Sequence, residues 1–179
     1  MLSVYVEKNE DLLDCPTNID LYIVLSDEFN KKISIPTRTK ELKLGHCFKH
    51  NVNLPEGLTH LTIAHNNNLI FPKSLIYLKV KLPCKIKSFP ENLTHLILPS
   101  NWMYPINDLP ASLEFLELGN NCNVSLDNLP INIKKIIIGT YFRGSVNNLP
   151  INLKEIICKG NFKIDKVPFD CKVKYSYSY

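Results

Sequence analysis

The sequence predicts a mainly β protein, a parallel β-solenoid of about eight turns of 17–20 residues with few or no full helices, with a parallel β-helix as the alternative. Three observations carry that expectation. A proline step recurs along the chain, apolar residues fall at fixed offsets from it, and the unit is too short to hold both a strand and a full helix.

The step is an apolar residue followed by proline: Cys15-Pro16, Ile35-Pro36, Leu54-Pro55, Phe71-Pro72, Phe89-Pro90, Leu109-Pro110, Leu129-Pro130, Leu149-Pro150 and Val167-Pro168. Successive prolines lie 17 to 20 residues apart, and the spacing settles at 20 between Pro90 and Pro150. Three residues after each proline the column reads Ile19, Thr39, Leu58, Leu75, Leu93, Leu113, Ile133 and Leu153. Six after, it reads Tyr22, Leu42, Leu61, Leu78, Leu96, Leu116, Ile136 and Ile156; eight after, Val24, Leu44, Ile63, Val80, Leu98, Leu118, Ile138 and Cys158. Alternation at six and eight is the signature of a short strand with one buried face, and the third column closes the core beneath it.

A return-side column, twelve after the proline, holds Phe48, Cys84, Trp102, Cys122, Phe142 and Phe162. Val52, Leu69, Ile86, Ile106, Val124, Val146 and Ile164 follow it inward. The return path is expected to be extended or 3₁₀-like. Proline has no N–H and cannot sit inside a ladder, so it marks where the chain leaves the sheet. Asn18, Gly57, Ser74, Asn92, Ser112, Asn132 and Asn152, two after it, suit a turn. Gly45, Gly119 and Gly139, nine after it, are expected to release the strand at its other end.

The segment Leu129-Pro-Ile-Asn-Ile-Lys-Lys-Ile-Ile-Ile-Gly-Thr-Tyr-Phe142 resembles FNIP repeats, relatives of the leucine-rich repeat with a Leu-Pro-x-x-Leu-x-x-Leu-x-Leu-Gly-x-x-Phe-Asn core. The resemblance covers residues 15 to 168 and is clearest from 109 to 164. The Phe-Asn pair survives only at Phe29-Asn30 and the turns are short, so the chain looks like a divergent member. The resemblance implies a leucine-rich-repeat-like solenoid and an origin in social amoebae or in giant viruses that infect them. Such proteins often carry an F-box ahead of the repeats, for which residues 1–14 are too few.

Organisation follows from the columns. Residues 1–179 read as one repeat domain, with 1–14 an N-terminal cap, 15–168 the repeats and 169–179 a C-terminal cap strand. Met1 to Val6 is rich in β-formers. Val173 to Tyr179 alternates strictly, with Lys174 where the core column needs an apolar residue and tyrosines leaning over the final turn.

Composition narrows the function classes. No stretch approaches the 18 apolar residues of a membrane span, and the start lacks the pattern of a secretion signal. The six cysteines are widely spaced without a C-x-x-C pair, against a disulfide framework or a zinc site. A cytoplasmic protein is the expectation, in the host cytoplasm if the source is viral. The net charge of +4 is uneven: residues 1–30 carry seven acidic and one basic side chain, and residues 131–179 carry nine basic and three acidic ones. These ends of opposite sign suggest weak end-to-end self-association. Without a regular Lys/Arg stripe, nucleic-acid binding is not expected.

No paired carboxylates, phosphate loop or triad spacing emerges, so no catalytic, cofactor or metal residue is assigned. The outward strand positions hold the remaining signal. One ladder runs Glu41, His60, Tyr77, His95, Phe115, Lys135, Glu155, and its neighbour Lys43, Thr62, Lys79, Ile97, Glu117, Ile137, Ile157. Tyr77, His95, Ile97 and Phe115, with His60 and Glu117 beside them, are expected to form an aromatic patch with a charged rim. The chain therefore reads as a non-catalytic protein–protein interaction scaffold, with a structural protein that stacks through its charged ends as the alternative. Its partner is a protein that the sequence does not identify.

Overall fold

A computed structural model describes residues 1–12, 14–65 and 68–176. The chain divides into two compact units, Met1–Lys81 and the residues from Leu82 onward. The first unit holds β1 (Leu2–Val6), β2 (Leu21–Leu25), β3 (Thr39–Lys43), β4 (His60–Ile63) and β5 (Tyr77–Val80). These pair in parallel in chain order. The second holds β6 (His95–Leu98), β7 (Phe115–Leu118), β8 (Lys135–Ile138), β9 (Glu155–Lys159) and β10 (Lys172–Ser176), likewise parallel in chain order. Among the described residues each turn contributes one strand, and the helical content is a single 3₁₀ turn at Asn9–Leu12. One strand per turn is the leucine-rich-repeat-like solenoid rather than the parallel β-helix.

The strands form where the columns demand. In the pairs β4/β5 and β7/β8 the register places Leu61 beside Leu78 and Leu116 beside Ile136, so residues of one column meet across the ladder. Leu58, Leu75, Leu93, Leu113, Ile133 and Leu153 of the third column are fully buried, as are Leu78, Leu96, Leu116, Ile136 and Ile156. Removing each such side chain from water stabilises the fold by about 1.5–3 kcal/mol. On the return side Phe48, Trp102, Cys122 and Phe142 are buried, whereas Cys84 and Phe162 are half-buried. Phe29 joins this column, stacked on Phe48 with ring centroids 6.3 Å apart. The Trp102 indole N–H donates to the Tyr104 carbonyl at 2.8 Å, which satisfies its one polar atom.

The carbonyl of each step proline from Pro36 to Pro168 accepts the N–H three residues later, at 3.0–3.2 Å. Those turns immediately precede the strands. The proline thus returns the chain to the sheet, and does not mark its exit as the sequence suggested. Ser74 and Ser112, inside the turns, donate from Oγ to the Leu58 and Leu93 carbonyls of the preceding turn.

Two further expectations are corrected. In the first turn Leu21, Ile23 and Leu25 are buried, while Tyr22 and Val24 are half-buried and Ile19 is exposed. A register irregularity at Leu21/Tyr22 separates this turn from the next, and a one-residue slip exchanges the two faces. The last turn slips similarly: Val173 and Tyr175 stand in register with Ile156 and Cys158, so Lys174 lies opposite Ile157 on the outward face. Tyr177 and Tyr179 lie outside the described residues.

Gly119 and Gly139 directly follow β7 and β8, and the glycines of this column have a further task beyond the one expected. A Cβ on Gly45 would lie 1.9 Å from the Ser26 carbonyl oxygen, and one on Gly139 would lie 2.3 Å from that of Gly119. Successive backbones touch there, and only glycine fits. Beyond the strands the chain turns at Asn101, Asn121 and Tyr141, in the left-handed region at φ 60°, 56° and 58°. The Asn101 and Asn121 N–H groups donate to Asn120 and Thr140 carbonyls of the following turn. Asparagine adopts this conformation readily; for tyrosine it is strained.

Candidate protein-binding face

Outward residues of adjacent strands stand one above another, so similar side chains stack. In the first unit His60 and Tyr77 are register partners, and their rings stack with centroids 5.3 Å apart and an interplanar angle of 27°. His60 Nδ1 lies 2.9 Å from the Thr59 hydroxyl. Both rings are half-buried, and Glu41, Lys43, Thr62 and Lys79 occupy the neighbouring outward positions.

The second unit repeats this arrangement. His95 and Phe115 are register partners, stacked at 5.4 Å and 27°, and His95 Nδ1 lies 2.9 Å from the Thr94 hydroxyl. His95 is exposed and Phe115 half-buried. In the next outward column Ile97, Glu117, Ile137 and Ile157 follow one another in register, all half-buried. The structure thus brings together His60 with Tyr77 in one unit, and His95, Phe115, Ile97 and Glu117 in the other.

Charge on the second unit is mutually engaged. The Glu117 carboxylate accepts from Lys159 at 2.9 Å. Glu155 accepts from both Lys135 at 2.7 Å and Lys174 at 2.5 Å. The hydrogen bond from Lys135, with that from Lys174, holds the Glu155 carboxyl down to about 2. Sequence reasoning did not find this network. Its signal was opposite charge in one column on consecutive turns, at Lys135 and Glu155.

A second feature was also missed. Ile131, Ile151 and Phe169, each one residue after a proline, are 59%, 71% and 89% exposed, an apolar ridge along the turns rather than on the sheet. A recess of about 370 Å³ beside it is lined in part by Leu149, Ile151, Val167 and Phe169.

Loop histidines are used within the fold. His65 Nε2 lies 3.1 Å from the His46 carbonyl oxygen, and His50 Nε2 lies 3.1 Å from that of Asn30. Among the described residues no group of three or more His, Cys, Asp or Glu could hold a metal ion. No helix among them is long and apolar enough to cross a membrane. Among the cysteines, Cys122 and Cys158 are buried, Cys47 is exposed and the others are half-buried. Burial pushes the Cys122 and Cys158 thiols up from their ordinary value.

Comparison with known proteins agrees with this geometry. The family model for the FNIP Repeat matches residues 104–141. A crystal structure of CroV588, described as a novel circular LRR protein, superposes with a TM-score of 0.77 at 27% identity, over 94% of this chain and 28% of that one. The chain thus spans a little over a quarter of the length of that protein. No curated protein matches the chain. With parallel strands laid down one per turn, a proline turn before each strand from β3 to β10 and a FNIP Repeat match over residues 104–141, the chain is an FNIP/LRR-like repeat protein.

Proposed function

We propose that the chain is a non-catalytic protein–protein interaction scaffold whose outward strand face carries the binding surface, with His60 and Tyr77 in the first unit and His95, Ile97, Phe115 and Glu117 in the second. The observation that carries this reading is the pair of aromatic stacks, at 5.3 and 5.4 Å, held partly exposed on rigid strands where the core does not need them. Rings fixed in this way lose little side-chain entropy on contact, which suits them to act as anchors. The ion pairs Glu117–Lys159 and Lys135–Glu155–Lys174 supply a polar rim. The wide cysteine spacing without a C-x-x-C pair fits a reducing cytoplasm as the place of action, in a host cell if the source is viral.

The test is affinity capture from the native cell, followed by binding measurements with the purified partner. Phe115→Glu and Tyr77→Glu are expected to lose at least tenfold in affinity with an unchanged circular dichroism spectrum. Ile151→Glu, on the turn ridge, is expected to bind as the parent does. Equal affinity of all three variants would refute the assignment of this face.

A further inference from the structure

We propose that this chain binds further copies of itself head to tail, the open edge of β10 in one copy adding in parallel to the open edge of β1 in the next.

In a parallel ladder the N–H and C=O of one residue point to the same side, and those of the next residue point to the other. The Lys172 N–H donates to the Lys154 carbonyl, and the Ser176 carbonyl accepts from Gly160. Lys172, Lys174 and Ser176 therefore face β9, and the backbone groups of Val173 and Tyr175 face away from it. On β1 the Leu2 N–H donates to the Asp20 carbonyl, and the Val6 carbonyl accepts from Ser26. By the same alternation the backbone groups of Ser3 and Tyr5 face away from β2. Two strand edges thus present donors and acceptors at matching periods, the condition for adding a strand.

The side chains along those edges match as well. Leu2, Val4 and Val6 continue the inward columns of β2, and Val173 and Tyr175 continue those of β9. Leu2 is 40% and Tyr175 is 41% exposed, so both rows are partly uncovered. In-phase pairing sets Val173 and Tyr175 beside two of Leu2, Val4 and Val6, apolar against apolar.

Charge selects the unlike edges. Lysines on an edge strand ordinarily prevent pairing, and Lys172 and Lys174 do so against a second β10. The segment following β1 is acidic: Glu7, Glu10, Asp11 and Asp14 are all exposed. The backbone N–H groups of Lys8 and Glu7 hold the Asp11 carboxyl below its ordinary value, so it stays anionic. A β1 edge repels another β1 edge and attracts a β10 edge. The contact is heterologous, so any assembly that has not closed on itself keeps one edge of each kind open and can grow beyond a dimer.

The test is sedimentation velocity on the full chain. At about 0.05 M salt its mean mass is expected to rise with concentration, and about 0.5 M salt is expected to shift it back toward monomer. Tyr5→Pro removes one of the two β1 edge donors and Tyr175→Pro one of the two β10 edge donors; both N–H groups point away from the neighbouring strand, so both ladders stay intact. Each variant alone is expected to be monomeric, and an equimolar mixture is expected to form dimers that grow no further. Lys172→Glu, which keeps the backbone hydrogen bond to the Lys154 carbonyl, is expected to weaken association at low salt and guards against misfolding of the proline variants. A parent chain that stays monomeric at low salt overturns the proposal. So does a proline variant that associates alone, which would mean like edges pair, or a folded mixture that does not dimerise.

Discussion

Replacing Gly139 by alanine tests whether adjacent turns are in backbone contact. The new Cβ would meet the Gly119 carbonyl oxygen at 2.3 Å, the Gly119 carbonyl carbon at 2.4 Å and the Asn120 nitrogen at 2.7 Å. All three are backbone atoms of the neighbouring turn, so relief requires moving one turn against the other by about 1 Å. Overpacking of this kind costs about 1–3 kcal/mol. Alanine also restricts the unfolded chain relative to glycine, which offsets about 0.4–1 kcal/mol. A net destabilisation of about 1–2 kcal/mol is expected for Gly139→Ala. Gly57→Ala is the control, because its Cβ would meet only the mobile Lys40 Nζ, at 3.1 Å. That variant is expected to be neutral or more stable by up to about 1 kcal/mol. Urea unfolding followed by far-ultraviolet circular dichroism reads both, with the slope m unchanged. Equal midpoints for the two variants would refute the argument that close turn-to-turn approach fixes glycine at these positions.

Tyr141 is 74% exposed and sits at φ 58°, a conformation that costs a bulky residue about 1 kcal/mol or more. Tyr141→Asn is expected to raise the melting temperature by a few degrees, and a decrease would show that the ring contributes more than its exposure implies. The folded-state carboxyl of Glu155, at about 2, lies below its ordinary value near 4.5. Its contribution to stability is therefore complete above about pH 4.5 and is lost as pH falls toward 2. Amide exchange in β10 should accelerate across that window in the parent and less so in Glu155→Gln; identical profiles would contradict the bridging role. Among the thiols, exposed Cys47 should be alkylated first, with Cys122 and Cys158 modified only on unfolding. Peptide mapping by mass spectrometry checks that order.

The fold was legible because a solenoid writes its core as columns. Leu61 and Leu78 share a column in the sequence and a ladder rung in the structure. Slips at the first and last turns were not legible: a single extra or missing residue before Leu21 or Val173 exchanges the faces, and the proline period does not report it. The stacked pairs His60–Tyr77 and His95–Phe115 were readable as outward columns, whereas their 27° ring geometry was not. Nor was the apolar ridge of Ile131, Ile151 and Phe169, since a residue in a turn has no alternation to show whether it points in or out.

Periodicity alone determined that this chain winds into parallel turns, because a regular spacing of prolines and leucines permits few other ways to bury the leucines of the core columns. Which atoms meet between turns was decided by tertiary structure. Backbone contact at Gly139, the left-handed release at Tyr141 and the ion pairs about Glu155 each depend on distances between residues some twenty positions apart. Those distances exist only once one turn has settled on the next.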